Sequence, residues 1–134
     1  MPLIGIIPNP SSGKDIRRLV VDADGIDNQQ KAKIVRRVLR GIAATADVAV
    51  TTVAVMPEMA DIRRRALDGL ELPFPVDVLD TPCHGLAEDS LAAARTLADR
   101  GAAAIVVLGG DGTHRMVAKG SRDVPLVPIS TGTN

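Results

Sequence analysis

Ala102-Ala103-Ala104-Ile105-Val106-Val107-Leu108-Gly109-Gly110-Asp111-Gly112-Thr113, running on through HRMVAKGSRDVPLVPISTGTN to Asn134, decides the reading of the fold. Ala102 to Leu108 is an unbroken apolar run, the pattern of a strand covered on both faces. Gly109 to Thr113 is a tight glycine loop, and a short helix follows it to about Lys119. A second apolar strand, Val124 to Ile129, then opens into another loop of small polar residues, Ser130 to Asn134. Strand, loop, helix, strand, with apolar strands of this kind, describes a crossover between parallel strands.

The rest of the chain repeats this grammar. Leu3 to Ile7 predicts a buried first strand ended by the turn cluster Pro8-Asn9-Pro10-Ser11-Ser12-Gly13. Asp15 to Val21 predicts a short helix and Asp22 to Asp27 a polar loop. From Asn28 to Ala44, Ile34, Val35, Val38, Leu39 and Ile42 recur at helical spacing, with Lys31, Lys33, Arg36, Arg37 and Arg40 on a solvated basic face. Asp47 to Val55 predicts a second strand, and Met56-Pro57-Glu58 the start of a helix running to about Leu70. Val76 to Asp80 predicts a third strand, Thr81 to Gly85 its loop, and Leu86 to Arg100 an Ala-rich helix stopped by Gly101. The fold expected is α/β: a Rossmann-like, open, mostly parallel sheet with helices on both faces.

Composition narrows the function. The 134 residues are 46% hydrophobic with Phe74 as the single aromatic, so the core is aliphatic and no row of aromatic platforms exists for unpaired bases. Sixteen basic side chains balance sixteen acidic ones, leaving no global field to draw the chain to nucleic acid or an anionic membrane. Cys83 is the single cysteine, in keeping with a reducing compartment. The amino terminus lacks a basic n-region and its apolar run stops at Pro8. The expectation is a soluble cytoplasmic protein with no nucleic-acid or membrane partner.

In an open parallel sheet, ligands collect beyond the carboxyl ends of the strands. Four loops there are rich in Gly, Ser, Thr or Asn: Asn9 to Lys14, Thr81 to Gly85, Gly109 to Thr113 and Ser130 to Asn134. Glycine loops aim backbone N–H groups at oxygens, and a following helix adds its positive end, so a nucleotide or phosphate ligand is expected. Neither common fingerprint is present. A P-loop needs Gly at Pro8 and Ser or Thr at Asp15, and a dinucleotide G-x-G-x-x-G needs Gly at Arg115. Asp111, between glycines at a strand end, is a candidate to hold Mg2+, directly or through water, and to accept a hydroxyl proton in phosphoryl transfer. His84 beside Cys83 reads as a solvated loop. Cys83 reads as a quiet thiol, and Arg63, Arg64 and Arg65 as solvated or subunit-contact residues. Lys14 and Arg115 are open between a phosphate contact and a solvated first turn.

Taken together, IGIIPNPSSGKDIRRLV, GGDGT and the closing STGTN resemble the superfamily of ATP-NAD kinases and diacylglycerol or lipid kinases, most closely its acetoin-catabolism X branch. The resemblance spans most of the chain. It implies an N-terminal nucleotide-binding domain over 1–134, with the family's β-rich C-terminal domain absent from this chain and the active site between the two. It further implies nucleotide contacts at Asn9, Pro10, Ser11, Ser12 and Gly13. Thr81 matches a threonine that touches nucleotide in the lipid-kinase branch. Gly109, Gly110, Gly112 and Thr113 match a triphosphate loop, with Asp111 as base and metal partner. Thr131, Gly132, Thr133 and Asn134 match a loop closing over nucleotide. The cofactors implied are ATP and Mg2+, with NAD as the substrate phosphorylated on its 2′-hydroxyl to NADP, in a homo-oligomer. The lipid-kinase branch continues GGDGT with an Asn-Glu pair where this chain has Arg115-Met116, which favours the NAD kinase side. A kinase of a lipid or other small hydroxyl compound is the alternative, and a non-catalytic module sensing NAD(H) or ATP is another.

Overall fold

The computed structural model describes residues 2–11, 27–45 and 51–131. The expected helix at Asp15 to Val21, most of the loop after it, and Ser12, Gly13, Gly132, Thr133 and Asn134 lie outside the described residues. Five parallel strands form one sheet: β1 (Leu3–Pro8), β2 (Thr52–Val55), β3 (Val76–Val78), β4 (Ala104–Gly109) and β5 (Leu126–Ser130). Their spatial order is β3-β2-β1-β4-β5. Ile6 pairs with both Val55 and Val106, so β1 is the centre, and Leu108 pairs with Ile129 on the far side. The order reverses between β1 and β4, which makes their carboxyl ends the topological switch point. The expected fold class is correct.

Period-two alternation divides the core. Ile7, Ala54, Ile105 and Val107 face α3 (Ala87–Asp99) and α4 (Asp111–Ser121), where Ala93, Ala94, Leu97 and Val117 are buried. Ile6, Val53, Val55, Val106 and Leu108 face the opposite way, against Val35 and Leu39 of α1 (Asn28–Thr45) and Ile62 and Ala66 of α2 (Ile62–Leu67). Gly5 belongs to the first face, and a Cβ there would lie 2.4 Å from Leu97 Cδ1. The bare backbone is what lets Leu97 reach the sheet. Phe74 is buried in the second layer, a single ring among aliphatic side chains.

Local chemistry sets the helix ends. The Asp27 carboxylate accepts from the Gln30 N–H at 2.8 Å while the Gln30 side chain accepts from the Asp27 N–H at 3.2 Å, a reciprocal cap that starts α1. After α3, the Gly101 N–H donates to Ala98 and the Ala102 N–H to Leu97, with Gly101 at φ +75°, the left-handed turn expected of that glycine.

The helix expected from Met56 to Leu70 is shorter, Ile62–Leu67. Met59 and Ala60 form a turn and Asp61 takes φ 59°, which a helix cannot continue through. Glu58 is the reason the helix begins late, because its carboxylate accepts the Ile62 N–H at 2.9 Å from outside the helix. Arg64 donates to Asp61 at 3.0 Å and holds that exposed carboxyl below its ordinary range. Strand three is also shorter than expected, at Val76–Val78; strand two is described at Thr52–Val55, and residues 46–50 lie outside the described residues.

The basic face of α1 is not uniformly solvated. Lys31 is fully buried, and Arg36 Nη1 donates to the carbonyls of Ala66 and Asp68 at 3.2 and 2.6 Å, satisfying the end of α2. Arg63, expected to be solvated or a subunit contact, instead donates from Nη2 to the Val76 carbonyl at 2.7 Å and ties α2 to β3. Of the described helices, none is long and apolar enough to cross a membrane.

Candidate nucleotide site

The site is built where β1 and β4 end. The Asn9 N–H donates to the Leu108 carbonyl at 2.9 Å, carrying the β1–β4 pairing one residue past the strand. Asn9 Oδ1 then accepts the Ser11 N–H at 2.9 Å, bending the chain away, while Nδ2 donates across the switch point to Thr113 Oγ1 at 2.7 Å. One side chain thus shapes its own loop and fastens it to the GGDGT segment, 104 residues on.

GGDGT is not a free loop. Gly109 is the last residue of β4, Gly110 is the extended residue before α4, and Asp111 is the first residue of that helix. Each small residue has a separate cause. A Cβ on Gly109 would stand 2.5 Å from Thr113 Cβ, so Gly109 permits the buried Thr113 to fold back toward the strand. Gly110 carries no side chain to cap the helix, and the His114 N–H is the first to bond back, to the Gly110 carbonyl at 3.1 Å. Asp111 and Gly112 are exposed. An α-helix presents its first N–H groups and positive end here, which suits phosphate oxygens, and Asp111 stands among them.

The structure brings together Asn9, Pro10, Ser11, Gly109, Gly110, Asp111, Gly112 and Thr113. Thr131 joins them, fully buried, with its N–H on the Gly109 carbonyl at 3.0 Å. Thr81 sits apart from them in the order of the sheet. It follows β3, three strands from β4, or about 14 Å at ordinary strand spacing. Its buried Oγ1 finds no hydrogen-bond partner among the described residues. His84 is exposed as expected, its N–H bonded to Asp89. Arg115 is exposed in the first turns of α4.

On the β2–β3 side of Asn9 lies a cavity of about 550 Å³. Asn9, Pro10 and Ser11 form one wall, Met56 to Ala60 another, and Cys83, Gly85 and Leu86 a third. Asp89, buried in the first turn of α3, accepts the N–H groups of His84, Gly85 and Leu86 on one oxygen at 3.0, 2.9 and 3.2 Å and so fixes the third wall. Asp111 is outside this cavity, beyond Asn9. Sequence reasoning missed Asp89 and Lys31. An acidic residue in a helix's first turn signals a cap in any protein, and a lysine among exposed basic neighbours reads as solvated by type, although its spacing to Val35 and Leu39 puts it on the buried face.

A magnesium ion would find one exposed carboxylate here, Asp111, and among the described residues no group of three or more His, Cys, Asp or Glu converges on a point. That donor set suits an ion carried largely by substrate phosphates and water.

A parallel sheet of order 3-2-1-4-5 with glycine-rich turns at its switch point defines a doubly wound α/β domain. The chain belongs to the ATP-NAD kinase family, whose N-terminal domain matches residues 4–134. It is similar to "Acetoin catabolism protein X" of Cupriavidus necator, 45% identical over 141 aligned positions that cover 99% of this chain. The chain spans 38% of that relative's length. No solved structure matches it.

Proposed function

We propose that the chain is the nucleotide-binding part of an NAD kinase-like phosphotransferase, transferring a phosphoryl group from ATP to the 2′-hydroxyl of NAD. The observation that carries this reading is the Asn9–Thr113 bond, which locks the two switch-point loops together and leaves Asp111 exposed at the start of α4. Phosphoryl transfer asks the protein mainly for positioning and charge stabilisation. The N–H groups at the start of α4 receive phosphate oxygens. Asp111 accepts the proton of the attacking hydroxyl and contributes an oxygen to Mg2+, which, when bound, neutralises charge on the transferred phosphate. Gly110 and Gly112 keep the approach open to both.

Incubating the intact natural protein with ATP, Mg2+ and NAD and measuring NADP tests the reading. Turnover is expected, with Asp111→Asn lowering kcat by about a hundredfold or more. Phosphorylation of a different hydroxyl compound would keep the site and change the acceptor. Nucleotide binding without any product would make the domain a sensor. Unchanged turnover in Asp111→Asn would remove the aspartate from its role.

A further inference from the structure

Lys31 lies one and two turns before Val35 and Leu39, on the face of α1 that is buried against the sheet. Lys33, Arg37 and Arg40 are exposed, yet Lys31 is fully buried. Burying an ammonium is costly unless its protons are taken up. Nζ donates to the Pro10 carbonyl at 3.1 Å and to Asn28 Oδ1 at 3.2 Å. Both acceptors belong to residues that line the cavity beside Asn9. The cation therefore stands behind the cavity wall and fastens the loop leaving β1 to the first turn of α1, across 21 residues of chain. Pro10 is joined to Asn9, and Asn9 to Thr113 beside the exposed Asp111. An ammonium suits this place because three freely oriented donors serve acceptors that converge from different directions, whereas a planar guanidinium would need more room.

We infer that Lys31 is a positioning residue for nucleotide binding: from a rigid helix it holds the Asn9–Ser11 loop in the shape that meets the nucleotide. The inference rests on the nucleotide reading above. Its test compares Lys31→Met, which keeps the length of the stem and removes the charge, with Lys33→Met as the exposed control on the same helix, both in the intact natural protein. With MgATP and NAD as probes, Lys31→Met is expected to raise the KM of at least one nucleotide by about tenfold, the size of a lost charge-assisted hydrogen bond, while kcat changes by less than about threefold. Lys33→Met is expected to change neither. Unchanged KM values for both nucleotides in a folded Lys31→Met protein, or a loss confined to kcat, would overturn the inference. If Lys31→Met does not fold, Asn28→Ala, which removes one of its acceptors, is expected to raise KM in the same direction, and an unchanged KM overturns the role.

Hydrogen exchange separates this inference from the functional reading. If wild type binds neither nucleotide, the functional reading fails, and the exchange rate of the peptide spanning Asn9 and Ser11 decides the role of Lys31. Faster exchange in Lys31→Met than in Lys33→Met supports the tether, and equal rates refute it.

Discussion

Gly109 shows how much one missing methyl carries. Its place at the end of β4 brings Thr113 within a distance that no Cβ tolerates, and Thr113 in turn receives the amide of Asn9. Gly109→Ala must push Thr113 outward, and because the contact is with its Cβ, a rotamer change does not relieve it. The substitution is expected to destabilise the fold by about 1–3 kcal/mol through overpacking and, by breaking the Asn9–Thr113 bond, to weaken nucleotide binding. Denaturant unfolding and calorimetry with MgATP measure the two effects; a stable variant with wild-type binding would show that the loops do not depend on this approach. The residue types in GGDGT were legible in the sequence because glycines, a carboxylate and a hydroxyl at a strand end have few uses. Their separate duties were not, since the partner that gives Thr113 its role is Asn9, far away along the chain. Lys31 marks the same limit from the other side. Residue type assigns a lysine to solvent although its spacing to Val35 and Leu39 puts it on the buried face, and only the folded position of Pro10 shows what takes up its protons.

Among the elements, apolar patterning located every described strand and helix, and errors gathered at their ends. Ends are decided by capping groups reached through space, as with Glu58 on Ile62, which delays α2 past the point where Pro57 and Glu58 suggest a start. The same holds for cations. Arg36 and Arg63 leave the solvent to satisfy carbonyls at the end of α2 and on β3, a use that spacing cannot announce. The packing of α3 on α4 has a comparable hidden cause. A Cβ on Gly120 would lie 2.7 Å from the Leu91 carbonyl oxygen, a backbone atom that cannot swing aside. Alanine at a helical glycine ordinarily gains up to about 1 kcal/mol, but overpacking costs about 1–3 kcal/mol. Gly120→Ala is therefore expected to lower the unfolding midpoint in spite of its better helix propensity. A raised midpoint would show that α4 can move away from α3 without loss.

At the scale of the whole molecule, the described residues make the candidate site an edge rather than an enclosure. Asp111 and Gly112 are exposed, and the segment that carries them is fastened to the loop after β1 by the Asn9–Thr113 bond. Holding two reactants in line and keeping water from the transferred phosphate both demand walls on more than one side. The sheet's β1–β4 pairing fixes the loops that carry Asn9 and Thr113, whereas the outer strand β5 carries the exposed Val127 and places Pro128, which has no N–H, on the edge strand. Binding of nucleotide to such a surface still stabilises the folded state by mass action. Residues 1–134 produced alone are accordingly expected to show a rise in Tm with saturating MgATP or NAD and to form no NADP in the assay that detects turnover by the intact natural protein. A thermal-shift titration and the NADP assay on the same sample check both halves of this statement. Turnover by residues 1–134 alone would mean that the switch-point loops, with Asp111, suffice to align donor and acceptor. The absence of any thermal shift would mean that the switch-point loops do not by themselves hold a nucleotide.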